Sequence, residues 1–164
     1  NYGPYQFPEK LVPVTIERAL RGEPIGVYGR GDNVRDWIHV DDHVAGLLAA
    51  ADRGTPGDRY LFGHEARTNL ALVRALCDAV DAVAPAPDGP GRRALVTFVA
   101  DRPGHDFRYA IDTAATRAAL GWAPIRSLHV ELPALVRWYV EHAAWRTMVL
   151  GRARYACERL GGAA

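Results

Sequence analysis

Short apolar runs with strand character take turns with amphipathic helical repeats along this chain. That alternation narrows the possible folds more than any other feature. The clearest repeat is "TNLALVRALCDAVDAV", residues 68–83, where Leu70, Val73, Leu76, Cys77, Val80 and Val83 fall on one helical face. Before it come strand-like "IGVYGRGD" and "VRDWIHV", then "DDHVAGLLAAADRG", which reads as a helix capped by Asp41 or Asp42 and closed by Gly54. "DRYLFG" and "LVTFVA" read as further strands, and "DTAATRAALG" as a short helix stopped by Gly121. At the front, "FPEKLVPVTIERALRG" predicts a helix over about residues 8–21, with Pro13 marking a kink or a late start. "SLHVELPALVRWYVEHAAW" predicts one long amphipathic helix with Pro133 early in it, and the tail is expected to be helical in parts. "APAPDGPGRRA" is the single breaker run and reads as an exposed loop. Strands alternating with helices imply an α/β layered arrangement.

At 164 residues the chain is long enough for one ordinary domain. Its first residue is Asn rather than Met, so it reads as a piece of something longer. A net charge of +1 provides no field to attract nucleic acid or an anionic membrane, so any anion must be held by local positive groups. No apolar run approaches the length of a membrane span. Cys77 and Cys157 have no metal-ligand spacing and read as free thiols of a reducing, cytoplasmic environment. The only lysine is Lys10, which confines any lysine-dependent chemistry to one position.

Four clusters hold the chain's chemical interest. In "DRPGHD", Pro103 biases Arg102 towards an extended shape and Gly104 turns the chain, so Arg102 and His105 converge beyond the end of a strand. Ligands of open α/β sheets collect at the carboxyl ends of strands, and arginine presents a planar fork of donors to phosphate oxygens. The competing reading is a loop stapled by pairs between Arg102 and Asp101 or Asp106. In "GRGDNVRDW", Arg35 stands at the head of a strand; a surface hairpin with an ion pair from Arg35 to Asp36 or Asp32 is the alternative. Gly29 and Gly31 do not make a dinucleotide fingerprint, which requires a helix to follow. "NYGPYQFPEKL" offers aromatic rings for stacking on a base or sugar, or else an aromatic-anchored turn. In "WIHVDDH", His39 and His43 straddle a strand-to-helix boundary, so capping by the aspartates is a better account than a metal site.

In this order and at these spacings, "NYGPYQFPEKLVP", "GRGDNVRDWIHVDDH" and "DRPGHDFRYAID" resemble the C-terminal half of the dTDP-glucose 4,6-dehydratase family. "LGWAP" and "VRWYVEH" add support. That family belongs to the extended short-chain dehydrogenases/reductases. The fold implied is the C-terminal, substrate-binding part of such an enzyme, with the N-terminal Rossmann part largely missing and some strands and helices here completing the absent sheet. The activity implied is conversion of dTDP-glucose to dTDP-4-keto-6-deoxyglucose and water, with NAD carrying the hydride internally, in an enzyme that is commonly a cytoplasmic homodimer. The resemblance gives substrate-holding positions to Lys10, Leu11, Gly26, Val27, Tyr28, Arg35, Asn69, Asp101, Arg102, Pro103, Gly104, His105 and Tyr155, and a place near the cofactor to Asn1. Gly26 stands where proline is usual.

The departures are large. The glycine-rich cofactor turn is absent, and so is the tyrosine-x-x-x-lysine pair, because Gln6 lies four residues before Lys10. The family's catalytic residues therefore fall outside this chain, which is expected to be inactive alone. A non-catalytic nucleotide-sugar-binding module, or a sister dehydratase, decarboxylase or epimerase of UDP- or GDP-sugars, are the alternative readings.

Overall fold

A computed structural model describes residues 1–86 and 89–153. Tyr155 and Cys157, both singled out above, lie outside the described residues. The order is α1 (Leu11–Arg21), β1 (Ile25–Tyr28), β2 (Val34–Trp37), α2 (Val40–Arg53), β3 (Glu65–Thr68), α3 (Asn69–Val83), a 3₁₀ turn (Arg92–Leu95), β4 (Val96–Val99), α4 (Ala114–Leu120), α5 (Leu128–Glu141) and α6 (Ala143–Ala153).

The strands form two separate ribbons. β1 and β4 run parallel, Ile25 opposite Val96 and Tyr28 opposite Val99, while β2 and β3 run antiparallel, Val34 opposite Thr68. The main core fills the space between the β1–β4 ribbon and the helices. Val12, Ile16, Val27, Leu76, Val80 and Val136 are each within 1% of complete burial there. A smaller cluster of Ile38, Ala49, Leu120 and Trp122 ties α2 to α4. Fully burying an aliphatic side chain contributes about 1.5–3 kcal/mol, so α3, which buries Leu72, Val73, Leu76, Cys77 and Val80, is the central pillar.

Several expectations are corrected. α1 starts at Leu11 rather than residue 8, with Lys10 in extended conformation as its N-cap. Pro13 is then the third helical residue, where a backbone N–H has no intrahelical partner to lose, so no kink is needed. α2 is capped by neither Asp41 nor Asp42. The Nδ1 of buried His39 accepts from the Asp41 N–H, while the buried Asp42 carboxylate accepts from the N–H groups of Ile125 and Arg126 at 3.1 and 2.9 Å. "DRYLFG" is not a strand: the Leu61 N–H is taken by the Thr116 hydroxyl and the His64 N–H by Asp36, so side chains replace a ladder. The strand instead is Glu65–Thr68, which has no apolar alternation and is set by pairing with β2. The long C-terminal helix breaks at His142, whose ring and N–H both meet the Trp138 carbonyl. Part of the breaker run is pinned, since Arg92 grips the Asp81 carboxylate at 2.8 Å.

Candidate functional site

β1 and β4, being parallel, end side by side, and the Gly29 N–H bonds to the Val99 carbonyl at 2.9 Å to carry the pairing past the last residues. β4 then releases the chain into the charged loop. The His105 N–H closes on the Arg102 carbonyl at 3.3 Å, with Pro103 second and Gly104 third in the turn at φ +67°. Proline followed by a residue of positive φ is the signature of a type II turn, and only glycine takes the third place without strain. The loop next passes β2: the Val34 N–H donates to the Phe107 carbonyl and the Tyr109 N–H to the Val34 carbonyl, at 2.8 and 3.0 Å. Those two bonds bring the loop that bears Arg102 alongside the strand that bears Arg35.

A cleft of about 600 Å³ opens at this junction. Asn1, Lys10, Leu11, Tyr28, Arg35 and Asn69 line it, with Arg102 and His105 from the loop. These eight residues were all singled out from the sequence, and they arrive from the N-terminal segment, α1, β1, β2, α3 and the loop after β4.

Neither arginine is spent on a carboxylate among the described residues. The ion pairs there engage Arg21, Arg30, Arg67, Arg92, Arg93, Arg126 and Arg146. The hairpin pair expected of Arg35 belongs to Arg30 and Asp32 instead, at 2.8 Å. Arg35 donates to the carbonyls of Val34 and Asp106 at 2.6 and 2.7 Å, and its guanidinium lies 4.7 Å from the Tyr109 ring centre. Those bonds use two of five N–H donors and fix the plane of the fork. The staple of the competing reading, from Arg102 to Asp101 or Asp106, is absent too among the described residues. The Asp101 carboxylate instead accepts the Arg102 backbone N–H at 2.9 Å and bonds His105 Nδ1 at 2.6 Å. The His105 bond, foremost, and the Arg102 N–H hold Asp101 below the usual carboxylate range. His105 is thereby locked edge-on to Tyr28 at 5.8 Å. Lys10 lies 2.5 Å from Glu9, another cleft residue.

The remaining residues singled out divide by what the fold does with them. Val27 is 1% exposed in the core, so its side chain is structural. Gly26 lies on β1 with ordinary contact distance, 3.5 Å, to Val99 for any added Cβ. Asp101, Pro103 and Gly104 shape the loop without lining the cleft. Gln6, Glu9, Asp36 and Trp37 also line it and were not singled out. Alternation could have found Trp37, because residues two apart on a strand share a face and Arg35 was already chosen. Asp36 is a brace, its carboxylate accepting from the N–H groups of His64 and Ile111.

Among the described residues no strand leads through a glycine-rich turn into a helix in the manner of a dinucleotide fingerprint. β1 passes by a turn into another strand rather than a helix, so no helix N-terminus awaits a pyrophosphate there. Asn1, the one residue placed near a cofactor by resemblance, bonds through its side chain to His43 at 2.7 Å and through its carbonyl to Gln6. No group of three or more possible metal ligands occurs among the described residues, and no helix among them is long and apolar enough to cross a membrane.

Comparison with known proteins shows the family. The family model described as GDP-mannose 4,6 dehydratase matches residues 1–132. A dTDP-glucose 4,6-dehydratase of Neisseria meningitidis is 44% identical over 98% of this chain and 46% of its own length. One from Escherichia coli is 41% identical over 98% of this chain and 45% of its own. The chain therefore spans under half the length of these curated relatives. The solved structure of a dTDP-glucose 4,6-dehydratase double mutant from Streptomyces venezuelae, with NAD and DAU bound, superposes with a TM-score of 0.82 at 37% identity, covering 91% of this chain and 44% of that one. By family model, sequence and fold, the chain belongs to the GDP-mannose 4,6-dehydratase family of extended short-chain dehydrogenases/reductases, and the two relatives named above, at 44% and 41% identity, are dTDP-glucose 4,6-dehydratases.

Proposed function

We propose that this chain is the C-terminal, substrate-holding portion of a dTDP-glucose 4,6-dehydratase, and that NAD and the catalytic residues belong to a preceding half. The observation that carries the reading is the convergence of Lys10, Arg35 and Arg102 on one cleft beside Tyr28 and Asn69. A diphosphate linker needs positive donors from more than one direction, and these come from three segments that are distant in the sequence.

In this reading Arg35 is the fixed clamp. Its plane is set by two carbonyls and the Tyr109 ring, leaving three N–H donors for phosphate oxygens. Arg102 is the second clamp, on an exposed turn, and His105, braced by Asp101, closes the wall next to it. Tyr28, 8% exposed, offers an aromatic surface for the nucleobase. Charge-assisted bonds contribute about 1.5–3 kcal/mol each, so three cations account for much of a micromolar affinity, about −8 kcal/mol.

The proposed missing half also gives a partner to surfaces that are otherwise exposed. Val44, Leu47 and Leu48 form an apolar stripe on α2 at 48%, 52% and 66% exposure, and Leu61 in the unpaired "DRYLFG" segment is 55% exposed. A Rossmann sheet would cover the stripe and supply a ladder to that segment. The homodimer implied by resemblance would belong to the full-length enzyme and is tested by its sedimentation. The substrate is tested by equilibrium titration of the chain with dTDP-, UDP- and GDP-glucose. Tightest binding of dTDP-glucose is expected, and equal affinity for all three would remove the dTDP assignment.

A further inference from the structure

We infer that Gln6 is a hydrogen-bond acceptor for a hydroxyl of the hexose, and that Tyr5 is the residue that positions it. The inference rests on the nucleotide-sugar reading of the cleft. Among the described residues, five buried side-chain polar atoms have no partner, and three of them, Gln6 Oε1, Trp37 Nε1 and Asn69 Oδ1, belong to residues lining this cleft. Buried polar atoms are nearly always paired, so such a concentration marks a surface made for a ligand.

Gln6 is the best defined of the three. Its amide nitrogen donates to the Asn1 carbonyl at 2.7 Å, which fixes the side-chain orientation and leaves the buried oxygen without a partner. An amide oxygen only accepts, so it cannot serve a diphosphate, which has no proton to give near neutral pH. The cations already answer for that group. A neutral donor is required, and in a nucleoside-diphosphate hexose the plentiful neutral donors are sugar hydroxyls. Gln6 also sits against Asn1, the residue that the resemblance places near the cofactor, where the hexose must lie for a hydride to pass.

The backbone around Gln6 is held with unusual care. Tyr5 has φ +62°, the one positive value outside glycine among the described residues. A side chain makes that conformation costly, and strained residues persist where surroundings over-determine them. Here the surroundings are aromatic. The Tyr5 ring stands edge-on to Trp138 of α5 at 4.6 Å and to Trp145 of α6 at 5.3 Å. The next carbonyl, that of Gln6, accepts the Tyr139 hydroxyl at 3.2 Å. α6 is anchored in turn by an ion pair from Arg146 to the buried Glu17 of α1. α5 and α6 thus touch the Tyr5 ring, which stays 63% exposed, and α5 holds the Gln6 carbonyl that follows.

The test compares dTDP-glucose with dTDP, which keeps the base and diphosphate but lacks the hexose. Gln6→Met preserves length and removes the acceptor. It should weaken dTDP-glucose about fivefold, the size of one neutral hydrogen bond, and leave dTDP unchanged. Tyr5→Gly accepts the left-handed backbone without strain but releases the clamp. It should reproduce the dTDP-glucose loss with dTDP binding retained, and Tyr5→Phe should keep parental affinity for both. Equal weakening of both ligands by Gln6→Met, or no weakening of either, overturns the hexose contact. Parental binding by Tyr5→Gly overturns the positioning role. A parent chain that binds neither ligand would instead refute the functional reading on which this rests.

Discussion

Replacing Arg102 by alanine separates binding from folding more cleanly than any other change in the cleft. Its guanidinium makes no hydrogen bond or ion pair among the described residues; only its backbone does, to Asp101 and His105. Alanine keeps both backbone bonds and suits the extended conformation that precedes proline. As an exposed surface change it should alter stability by no more than about 0.5 kcal/mol. A charged hydrogen bond to a phosphate contributes about 1.5–3 kcal/mol. Because the side chain is exposed and water screens it, the lower end applies, a loss of about tenfold in dTDP-glucose affinity. Screening also gives the effect a signature. The Debye length falls from about 10 Å at 0.1 M salt to about 3 Å at 1 M, so the ratio of parent to variant affinity should shrink with salt. Titration calorimetry at two ionic strengths, with a thermal melt of each protein, reads all of this. An unchanged affinity at low salt would refute the reasoning, as would a melting temperature lowered enough to explain the loss.

Arg35→Ala should weaken dTDP-glucose at least as much, but also cost about 1–2 kcal/mol of stability, because it removes two carbonyl bonds and the Tyr109 contact; chemical denaturation measures the difference. Gly31→Ala should destabilise by about 2–4 kcal/mol, since φ is +76° and a Cβ would stand 2.7 Å from Leu70 Cβ and 2.8 Å from Val27 Cγ1. The Asp101 carboxyl is held below 3.8 by His105, so its brace on the loop is complete above that value and is lost as pH falls through the lowered folded value; ligand affinity should fall over the same window, and Asp101→Asn should abolish that acid limb. Cys77 is 0% exposed with its thiol pushed up to about 11 chiefly by burial, so in a Cys157→Ser background the native chain should resist a thiol reagent at pH 8 and react once unfolded. The chain alone, given dTDP-glucose and NAD, should form no 4-keto-6-deoxy sugar, as followed by proton NMR.

What could be read in advance divides along a physical line. α3 was legible because its apolar repeat and its Thr68 cap are local signals. The type II turn at Pro103–Gly104 was legible for the same reason, since the two residues dictate their own dihedral angles. β3 was not, because "EART" has no alternation and becomes a strand only opposite β2. "DRYLFG" misled in the other direction: it has the composition of a strand but no neighbouring strand among the described residues to complete it. Arg35 and Arg102 were found through their local setting, yet what each bonds was misjudged. Asp101 turned to His105, four residues on, and Arg35 turned to two carbonyls, one its neighbour's and the other across 71 residues of sequence. Gln6 was missed because its significance lies in an unpaired atom and a strained neighbour, neither of which composition records.

The claim under all of this is that two arginines and a lysine, brought together by the parallel β1–β4 pair and the loop that follows it, hold one diphosphate. A crystal structure of the chain with dTDP-glucose would test it most directly. The account expects pyrophosphate oxygens within hydrogen-bonding distance, about 3 Å, of both the Arg35 and Arg102 guanidinium groups, with the base against Tyr28. A ligand seated outside the cleft, or a diphosphate touching neither arginine, would contradict it.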